Sequence, residues 1–253
     1  MEAIETFHGK TALVTGASSG IGLATALAFG SRGAHVIVHY NRRRAEAQAV
    51  VARIQAAGGS GEVLQGDLAA MAGVRAVAQA IAGRPVDILV NNAGWLIKRT
   101  RVLEFTEELW DRVLTLNLTS AFFLARAVLP GMVERKSGVI VNISSVAGRN
   151  GGGPGALAYS AAKAGLSAAT KGLAKEFAAH GIRVNAVSPG TIDTDFHRTF
   201  STTPMLDAVR AATPMGRLGT AEDCADVIVF LATDAARFIQ GQVIEVNGGF
   251  LMV

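Results

Sequence analysis

The sequence predicts an α/β fold in which one doubly wound, parallel sheet of seven strands carries helices on both faces. The chain has 253 residues, of which 50% are hydrophobic, so it is long enough for one large domain with a substantial core. Seven short runs rich in β-branched residues are almost continuously apolar, as expected for parallel strands covered on both faces. Longer alanine-rich amphipathic segments alternate with these runs, which is typical of right-handed strand-helix-strand units.

The predicted elements follow one another along the whole chain. Strands are predicted at 11–15, 35–40, 62–65, 87–91, 138–144, 183–188 and 242–247. Helices are predicted at about 20–32, 42–57, 70–82, 103–135, 157–180 and 221–233. The sequence shows no internal repeat or linker, so residues 1–253 are predicted to form a single domain. Only 190–220 breaks the alternation, and we interpret this segment as a lid over the substrate.

Composition and charge argue against several classes of function. The formal net charge is only +4, and the longest basic run, Arg42 to Arg44, is too short to predict a nucleic-acid interface. The single cysteine, Cys224, excludes an intrachain disulfide and a cysteine zinc site. The N-terminal residues lack a secretory pattern, no run of 18 apolar residues occurs, and the five histidines lack metal-ligand spacing. We therefore expect a cytoplasmic protein that binds neither nucleic acid, membrane nor metal.

A glycine-rich segment, TGASSGIG, follows the first predicted strand. Gly16, Gly20 and Gly22 allow a sharp turn and a close approach of the backbone to a pyrophosphate. The helix that begins here directs its unpaired N–H groups toward such an anion. The spacing differs from the G-x-G-x-x-G dinucleotide fingerprint. Its position between the first strand and the first helix nevertheless favours nucleotide binding over a purely structural turn.

The same segment also supports a second enzyme hypothesis. Residues 16–20, GASSG, match the G-x-S-x-G nucleophile elbow of α/β-hydrolases. In those enzymes the elbow usually lies well into the chain, with the acid and the histidine of the triad after it. Here it would follow the first strand, so serine hydrolysis is the weaker hypothesis.

Polar residues collect where later strands end, which is where open parallel sheets bind their ligands. The sequence NNAG, residues 91–94, follows the fourth strand, and Ser144 and Ser145 follow the fifth. Asn117 lies in an apolar helical segment, where a buried amide needs hydrogen-bonding partners. Each of these residues alone has an ordinary structural explanation as a turn or capping residue.

The segment YSAAK places Tyr159 and Lys163 one helical turn apart on one face. Together with TGASSGIG, NNAG, NISS and SPGTIDT, it gives a chain that resembles the short-chain dehydrogenase/reductase family from Lys10 to the terminal VNGGF. The resemblance implies a Rossmann-type domain that binds NAD(H) or NADP(H), with catalytic roles for Asn117, Ser145, Tyr159 and Lys163. It also implies cofactor contacts from Tyr159, Lys163, Gly16, Ser18, Ser19, Gly20, Ile21, Gly22, Asn41, Arg42, Asp67, Leu68, Asn91, Ala93, Gly94, Pro189, Gly190, Ile192 and Thr194.

These residue types suit the reduction of a ketone. Tyr159 can supply the proton, and a nearby Lys163 ammonium is expected to lower the phenol pKa from its usual value of about 10. Ser145 is expected to donate a hydrogen bond to the substrate oxygen. By the resemblance, Asn117 would hold a water next to Lys163 and complete a proton path.

The segment after the second strand predicts NADP(H) rather than NAD(H). NAD-preferring sites usually carry a carboxylate at the position of Tyr40, where it would bind the ribose hydroxyls and repel a 2′-phosphate. Here Tyr40 is followed by Asn41 and three arginines, and we favour Asn41 and Arg42 as the phosphate contacts because they lie nearest the strand end. The remaining alternative is that all three arginines are surface charges and the cofactor is NAD(H).

The substrate is predicted only as a class. Trp95, Val146 and Phe196, with Ser145 and Tyr159, suggest a small-molecule carbonyl compound or secondary alcohol with an apolar flank. A 3-oxoacyl thioester is the first substrate to expect for a sequence of this type, and a sugar or polyol fits nearly as well. Because fold alone does not fix function, a dinucleotide-sensing protein without catalysis is the alternative from another class.

An assembly is predicted from the segment 156–179, which carries small residues around most of its helical circumference. One side of this helix must cover the sheet, and the other side can meet a second copy. The family resemblance makes a homotetramer the expected state.

Overall fold

The structure, a computed structural model, describes residues 6–253 and has one sheet of seven parallel strands. The strands are β1 (Thr11–Val14), β2 (His35–Tyr40), β3 (Ser60–Gln65), β4 (Ile88–Asn91), β5 (Gly138–Ile143), β6 (Ile182–Pro189) and β7 (Val243–Val246). Their order across the sheet is β3-β2-β1-β4-β5-β6-β7. The predicted fold class and the seven predicted strands are confirmed, although β3 begins at Ser60, before the predicted start at residue 62.

Helices connect the strands in the predicted alternation. They are α1 (Gly20–Gly30), α2 (Arg44–Ala56), α3 (Met71–Ile81), α4 (Glu107–Leu114), α5 (Ser120–Arg135), α6 (Ala147–Asn150), α7 (Leu157–Phe177), α8 (Asp195–Phe200), α9 (Thr203–Ala212) and α10 (Ala221–Ala232). A π-helical turn, Thr115–Thr119, joins α4 to α5. The helix predicted from residue 103 begins only at Glu107, because the Thr106 side chain caps it by accepting a hydrogen bond from the Leu109 N–H.

The core lies on both faces of the sheet. On β1, Ala12 and Val14 pack in the layer formed with α1, α2 and α10, while Leu13 packs in the opposite layer with α3, α5 and α7. All three side chains are fully buried. This explains why β1 is almost continuously apolar, since its alternate residues enter two different cores.

The sheet reverses its strand order beside β1, which pairs with β2 on one side and with β4 on the other. A crevice opens beyond the carboxyl ends of the strands at such a point. Thr15 shapes the crevice, because its hydroxyl accepts hydrogen bonds from the N–H groups of Asn92 and Ala93, both at 2.9 Å. The end of β1 therefore fixes the backbone of the NNAG segment.

The segment 190–220 contains helices α8 and α9, which the sequence did not predict. Helix α8 has only six residues, too few for a hydrophobic period to be recognised. Tertiary packing stabilises it instead, because the Phe196 and Phe200 rings contact the Trp95 ring with centroid distances of 5.3 and 4.9 Å. The segment thus lies against the crevice, where a lid was predicted.

The continuous stretch Glu107–Arg135 is long and apolar enough to cross a membrane by length and composition. However, Leu124, Val128 and Met132 on this stretch are buried in the core layer beside the sheet. Core helices of globular domains pass the same test, so the stretch is only weak evidence for a membrane span.

Candidate active site

A cavity of about 900 Å³ opens beyond the carboxyl ends of the central strands. The structure brings most of the predicted site residues to its wall. These are Gly16, Ser18, Ser19, Gly20, Ile21, Asn41, Arg42, Asp67, Leu68, Ala93, Gly94, Trp95, Ser145, Val146, Tyr159, Lys163, Pro189, Gly190, Ile192, Thr194 and Phe196. Three predicted residues, Gly22, Asn91 and Asn117, do not line the cavity but lie behind its wall.

The glycine-rich turn has the geometry of an anion cradle. Gly16 and Gly20 have φ values of +63° and +55°, in the left-handed region that favours glycine. A Cβ atom at Gly22 would lie 2.5 Å from the Gly16 carbonyl oxygen, so glycine is required for α1 to pack against the turn. The side chain of Ser19, the N-cap residue, makes no capping hydrogen bond, so it leaves the first N–H groups of α1 uncapped. These features fit the pyrophosphate of a dinucleotide.

Asn91 differs from its predicted placement. Its side chain is 4% exposed and donates hydrogen bonds to the Asn142 side chain and the Ala121 carbonyl oxygen, which places it in the core. The neighbouring Asn92 lines the cavity and donates a 2.8 Å hydrogen bond from Nδ2 to the Thr15 carbonyl oxygen. Because successive side chains of a strand point to opposite faces, only one of the two asparagines can face the cavity. The structure therefore places the Asn92 side chain, and not that of Asn91, at the cavity wall.

The turn after β2 supplies two arginines to the cavity. Arg42 and Arg43 line it, whereas Arg44 begins α2 and lies outside the wall. Beside them, Asp67 Oδ1 accepts hydrogen bonds from Asn41 Nδ2 at 3.1 Å and from the Ala69 N–H at 3.0 Å. These residues form a polar end of the cavity next to the glycine-rich turn.

His39 also lines the cavity, although it was not predicted from the sequence. Its Nδ1 accepts a hydrogen bond from the Gly16 N–H, and its Nε2 lies 3.2 Å from the Gly66 carbonyl oxygen. Burial lowers the pKa of His39 to about 4, so the ring is neutral, and the Gly16 bond places its proton on Nε2. His39 thus ties the glycine-rich turn to the end of β3. The available signal was a histidine that follows three buried apolar residues in β2.

Ser145, Tyr159 and Lys163 all line the cavity. Ser145 follows β5, and the other two lie one turn apart on α7, as predicted. The Lys163 ammonium lies 5.6 Å from the Tyr159 ring centroid and donates a 2.7 Å hydrogen bond to the Ile143 carbonyl oxygen. The end of β5 therefore positions both the serine and the lysine.

Burial changes the proton affinities of these groups. It raises the pKa of Tyr159 to about 12, although a hydrogen bond from Ser145 opposes the shift. It also lowers the pKa of Lys163 to about 7. The prediction that the Lys163 ammonium lowers the pKa of Tyr159 is wrong, because burial raises that pKa. The cost of burying a phenolate exceeds the opposing effect of the Ser145 hydrogen bond. The same burial lowers the fraction of Lys163 that is protonated at neutral pH.

Asn117 lies in the π-helical turn Thr115–Thr119, a feature that often marks functional sites. Its Oδ1 accepts the Trp95 N–H at 3.1 Å, and its Nδ2 donates to the Trp95 and Val113 carbonyl oxygens, both at 2.9 Å. A Cβ atom at Gly94 would lie 2.8 Å from Asn117 Oδ1 and 3.0 Å from Lys163 Nζ. Asn117 thus anchors the loop after β4 close to the lysine.

Aromatic and basic groups of the segment 190–220 and of the loop after β4 line the other side of the cavity. The Phe196 ring contacts the Tyr159 ring with a centroid distance of 5.6 Å. Arg99 donates hydrogen bonds from Nε to the Phe200 carbonyl oxygen at 2.9 Å and from Nη1 to the Pro154 carbonyl oxygen at 3.0 Å. Burial, reinforced by the Arg99 charge, lowers the pKa of His197 to about 4. Arg99 and His197 line the cavity, but no local sequence pattern indicated either residue.

Comparison with known proteins places the chain in a family. A family model described as enoyl-(acyl carrier protein) reductase matches residues 16–251. A 3-oxoacyl-[acyl-carrier-protein] reductase of Synechocystis sp. is 44% identical over 246 residues, which cover 96% of this chain and 97% of the relative. The chain belongs to the short-chain dehydrogenase/reductase family. It is therefore an oxidoreductase that acts on CH–OH groups.

Solved structures of other short-chain dehydrogenases/reductases share the whole fold. A crystal structure assigned to an NAD(P) dependent gluconate 5-dehydrogenase of Beutenbergia cavernae, with bound NADP, has a TM-score of 0.92 and 38% identity. It matches over 98% of this chain and 99% of that chain. A structure assigned to a 2-deoxy-d-gluconate 3-dehydrogenase of Agrobacterium tumefaciens, also with bound NADP, has a TM-score of 0.88 and 36% identity over 97% of each chain.

The serine hydrolase hypothesis finds no support in the geometry. It would require a histidine to activate Ser18, but the nearby His39 uses its ring nitrogens for Gly16 and Gly66. Within residues 6–253, no group of three or more His, Cys, Asp or Glu side chains could hold a metal ion.

Proposed function

We propose that this short-chain dehydrogenase/reductase uses NADP(H) to interconvert a ketone and a secondary alcohol, with Tyr159 as general acid/base. One observation carries the proposal. Ser145, Tyr159 and Lys163 line the same cavity as the glycine-rich turn and the arginines after β2. A dinucleotide that spans from Arg42 to Tyr159 would bring its reactive ring to the proton donor.

The roles of the side chains follow from their chemistry. Reduction adds a hydride to the carbonyl carbon, supplied by the bound nicotinamide, and a proton to the oxygen. Tyr159 keeps its proton at neutral pH because burial raises its pKa, so it is in the donor form. Ser145 donates a hydrogen bond to the carbonyl oxygen, where negative charge develops. A protonated Lys163 stabilises the tyrosinate that remains after the transfer.

After the transfer, Tyr159 would regain its proton through groups on the buried side of the cavity. Lys163 donates to the Ile143 carbonyl oxygen, and its Nζ and the Asn117 Oδ1 both lie close to Gly94. A water bound beside Lys163 and Asn117 would extend this path toward solvent, as the family resemblance implies. Asn117 fixes the geometry by holding both backbone groups of Trp95.

The preference for NADP(H) over NAD(H) rests on charge. Tyr40 is buried in the core, so the end of β2 offers no carboxylate to the ribose. Arg42 lines the cavity and has no salt bridge with any carboxylate in residues 6–253, which leaves its guanidinium for a phosphate. The two related dehydrogenase structures with bound NADP support the same assignment.

A 3-oxoacyl thioester is the first substrate class to test, because the 44% identical relative is a 3-oxoacyl-[acyl-carrier-protein] reductase. The test is NADPH oxidation with short 3-oxoacyl thioesters, followed by NADP⁺ reduction with the matching 3-hydroxyacyl compounds. Turnover with a ketone or alcohol supports the proposal. Cofactor binding without turnover on any substrate would support the alternative of a dinucleotide sensor.

A sugar acid is a second candidate, favoured by Arg99. Its guanidinium lines the cavity, and no carboxylate of residues 6–253 forms a salt bridge with it. Two backbone carbonyl oxygens fix Nε and Nη1, so Nη2 can bind the carboxylate of a small hydroxy acid. Assays with gluconate-type acids and with the neutral polyols of the same length distinguish this candidate, because only the acids use the Arg99 charge.

We also propose that the enzyme is a cytoplasmic homotetramer. Helix α7 contacts β5 and its end through Thr170 and Ser167, which hydrogen-bond to Asn142 and Ser144, and its outer face presents mainly small or exposed residues. Phe122 on α5 and Leu157 on α7 are about half exposed, which supports burial against another copy. Light scattering at micromolar concentration tests the assembly, and a monomer would contradict it.

A further inference from the structure

Arg43 connects the polar end of the cavity to the lid. Its Nη1 lies 2.6 Å from Asp195 Oδ2, at the first residue of α8. Both residues line the cavity although they are 152 positions apart in sequence. Their side chains are 47% and 41% exposed, so water and ligands can reach the ion pair.

The ion pair lies beside the proposed dinucleotide site. Thr194, the N-cap residue of α8, has its Cγ2 3.4 Å from the point where a Cβ of Gly20 would lie. The start of the lid therefore stands directly against the glycine-rich turn. On the other side, Arg43 directly precedes α2 and follows Arg42. A cofactor phosphate bound near Arg42 would be close to both partners of the pair.

We propose that Asp195 is a specificity-determining residue that competes with the 2′-phosphate of NADP(H) for Arg43. A phosphate carries up to two charges and several acceptor oxygens, so it is the stronger partner for a guanidinium. Binding of NADP(H) then breaks the Arg43–Asp195 pair and releases the start of α8 from the turn after β2. NAD(H) has no 2′-phosphate and leaves the pair intact. This inference rests on the proposed use of NADP(H).

The structure provides an alternative partner for the released carboxylate. Arg198 Nη1 already lies 3.6 Å from Asp195 Oδ1, one turn away on the same helix, and its Nη2 pairs with Asp193. Asp195 therefore keeps a cation after it leaves Arg43. Meanwhile Arg99 still binds the Phe200 carbonyl oxygen at the other end of α8. We therefore expect the start of α8, at Asp195, to move while its end, at Phe200, stays in place.

Trp95 reports this motion because its ring contacts Phe196 and Phe200 on α8. The chain has two tryptophans, so the Trp110→Phe variant leaves Trp95 as the only emitter. Adenosine 2′,5′-bisphosphate and 5′-AMP differ only in the 2′-phosphate, and neither contains a nicotinamide ring that absorbs the emission. We expect the bisphosphate to change the Trp95 emission and 5′-AMP to leave it unchanged. The same emission with both saturating ligands would overturn the proposed release.

Affinity measurements test the competition itself. Asp195→Asn removes the charge that competes for Arg43, so we expect this variant to bind the bisphosphate about two to five times more tightly than the wild type does. The factor is small because the ion pair is half exposed, and the affinity for 5′-AMP should not change. Arg43→Ala should bind the bisphosphate more weakly than the wild type. Asp193→Asn is the matched control, because Asp193 is also an exposed lid carboxylate but pairs with Arg198 and not with Arg43.

The outcomes separate this inference from the proposed function. A wild type that binds 5′-AMP as tightly as the bisphosphate would contradict the preference for NADP(H). A wild type that prefers the bisphosphate, together with an Asp195→Asn variant of equal or lower affinity, would overturn only the competition. If Asp195→Asn and Asp193→Asn increase the affinity for the bisphosphate equally, the effect comes from the overall charge of the lid. That result would also overturn the proposed competition for Arg43.

Discussion

The Lys163 ammonium lies 5.6 Å from the Tyr159 ring centroid but donates its 2.7 Å hydrogen bond to the Ile143 carbonyl oxygen. The end of β5, not the tyrosine, therefore holds the lysine. Burial affects the two groups in opposite directions, since it raises the pKa of Tyr159 to about 12 and lowers that of Lys163 to about 7. The tyrosine is thus protonated at neutral pH, where the lysine is close to its midpoint.

Tyr159→Phe tests the general acid. The variant keeps the ring that contacts Phe196 but loses the proton donor, so we expect kcat to fall by about 10²- to 10⁴-fold. Binding of NADPH, measured by fluorescence titration, should change little because the cofactor cradle is intact. A variant that keeps more than about a tenth of the wild-type kcat would be incompatible with this role.

Lys163→Met tests the buried lysine through the pH dependence of stability. Lysine titrates near 10.5 in the unfolded chain and at about 7 in the folded protein. Between these values the unfolded chain binds more protons, so the free energy of unfolding should rise with pH across this window. We expect the wild type to gain stability from about pH 7 to about pH 10 relative to Lys163→Met, which cannot titrate there.

Urea unfolding at pH 7, 8, 9 and 10 measures the difference between the two proteins. The series stops at pH 10 because Tyr159, with its raised pKa, opposes the trend at higher pH. Parallel stability profiles for wild type and variant would show that the pKa of Lys163 is not lowered by burial.

The fold was predictable because its signals are local. The central strands β1, β4 and β5 are short, mainly apolar runs, and the left-handed turn at Gly16 and Gly20 is encoded by the glycines themselves. The spacing of Tyr159 and Lys163 is likewise a property of one helix. Such features need no knowledge of distant contacts.

The remaining parts of the site depend on contacts between distant segments. His39 acts through Gly16 and Gly66, and Arg99 acts through Phe200, which is 101 positions away. The raised pKa of Tyr159 arises from burial, to which packing of Phe196 contributes, and no local pattern reveals this. Helix α8 is also set by tertiary packing, because six residues have little intrinsic tendency to form a helix.

Arg42→Ala tests the proposed 2′-phosphate contact. Charge-assisted hydrogen bonds contribute about 1.5–3 kcal/mol, so we expect the KM for NADPH to rise about tenfold or more while the KM for NADH stays nearly unchanged. Arg44→Ala is the matched control, because Arg44 lies two positions further on and outside the cavity wall. Equal effects of Arg42→Ala on both cofactors, or a wild type that prefers NADH, would contradict the assignment.

His39 should support both cofactors equally, in contrast to Arg42. His39→Leu leaves the Gly16 N–H and the Gly66 carbonyl oxygen, both partly buried, without their partner, and a lost hydrogen bond of this kind costs about 0.5–1.5 kcal/mol. We expect a lower free energy of unfolding and weaker binding of NADPH and NADH by a similar factor, because the glycine-rich turn serves the part common to both cofactors.

His39→Asn separates the two bonds. Its Oδ1 can occupy the place of Nδ1 and accept the Gly16 N–H, whereas its shorter side chain cannot reach Gly66 as Nε2 does. We therefore expect His39→Asn to recover cofactor affinity more completely than stability, measured by fluorescence titration and urea unfolding. If His39→Asn binds the cofactors as weakly as His39→Leu while both remain folded, the Gly16 bond does not position the turn. If His39→Leu instead weakens NADPH alone, His39 acts on the 2′-phosphate and not on the glycine-rich turn.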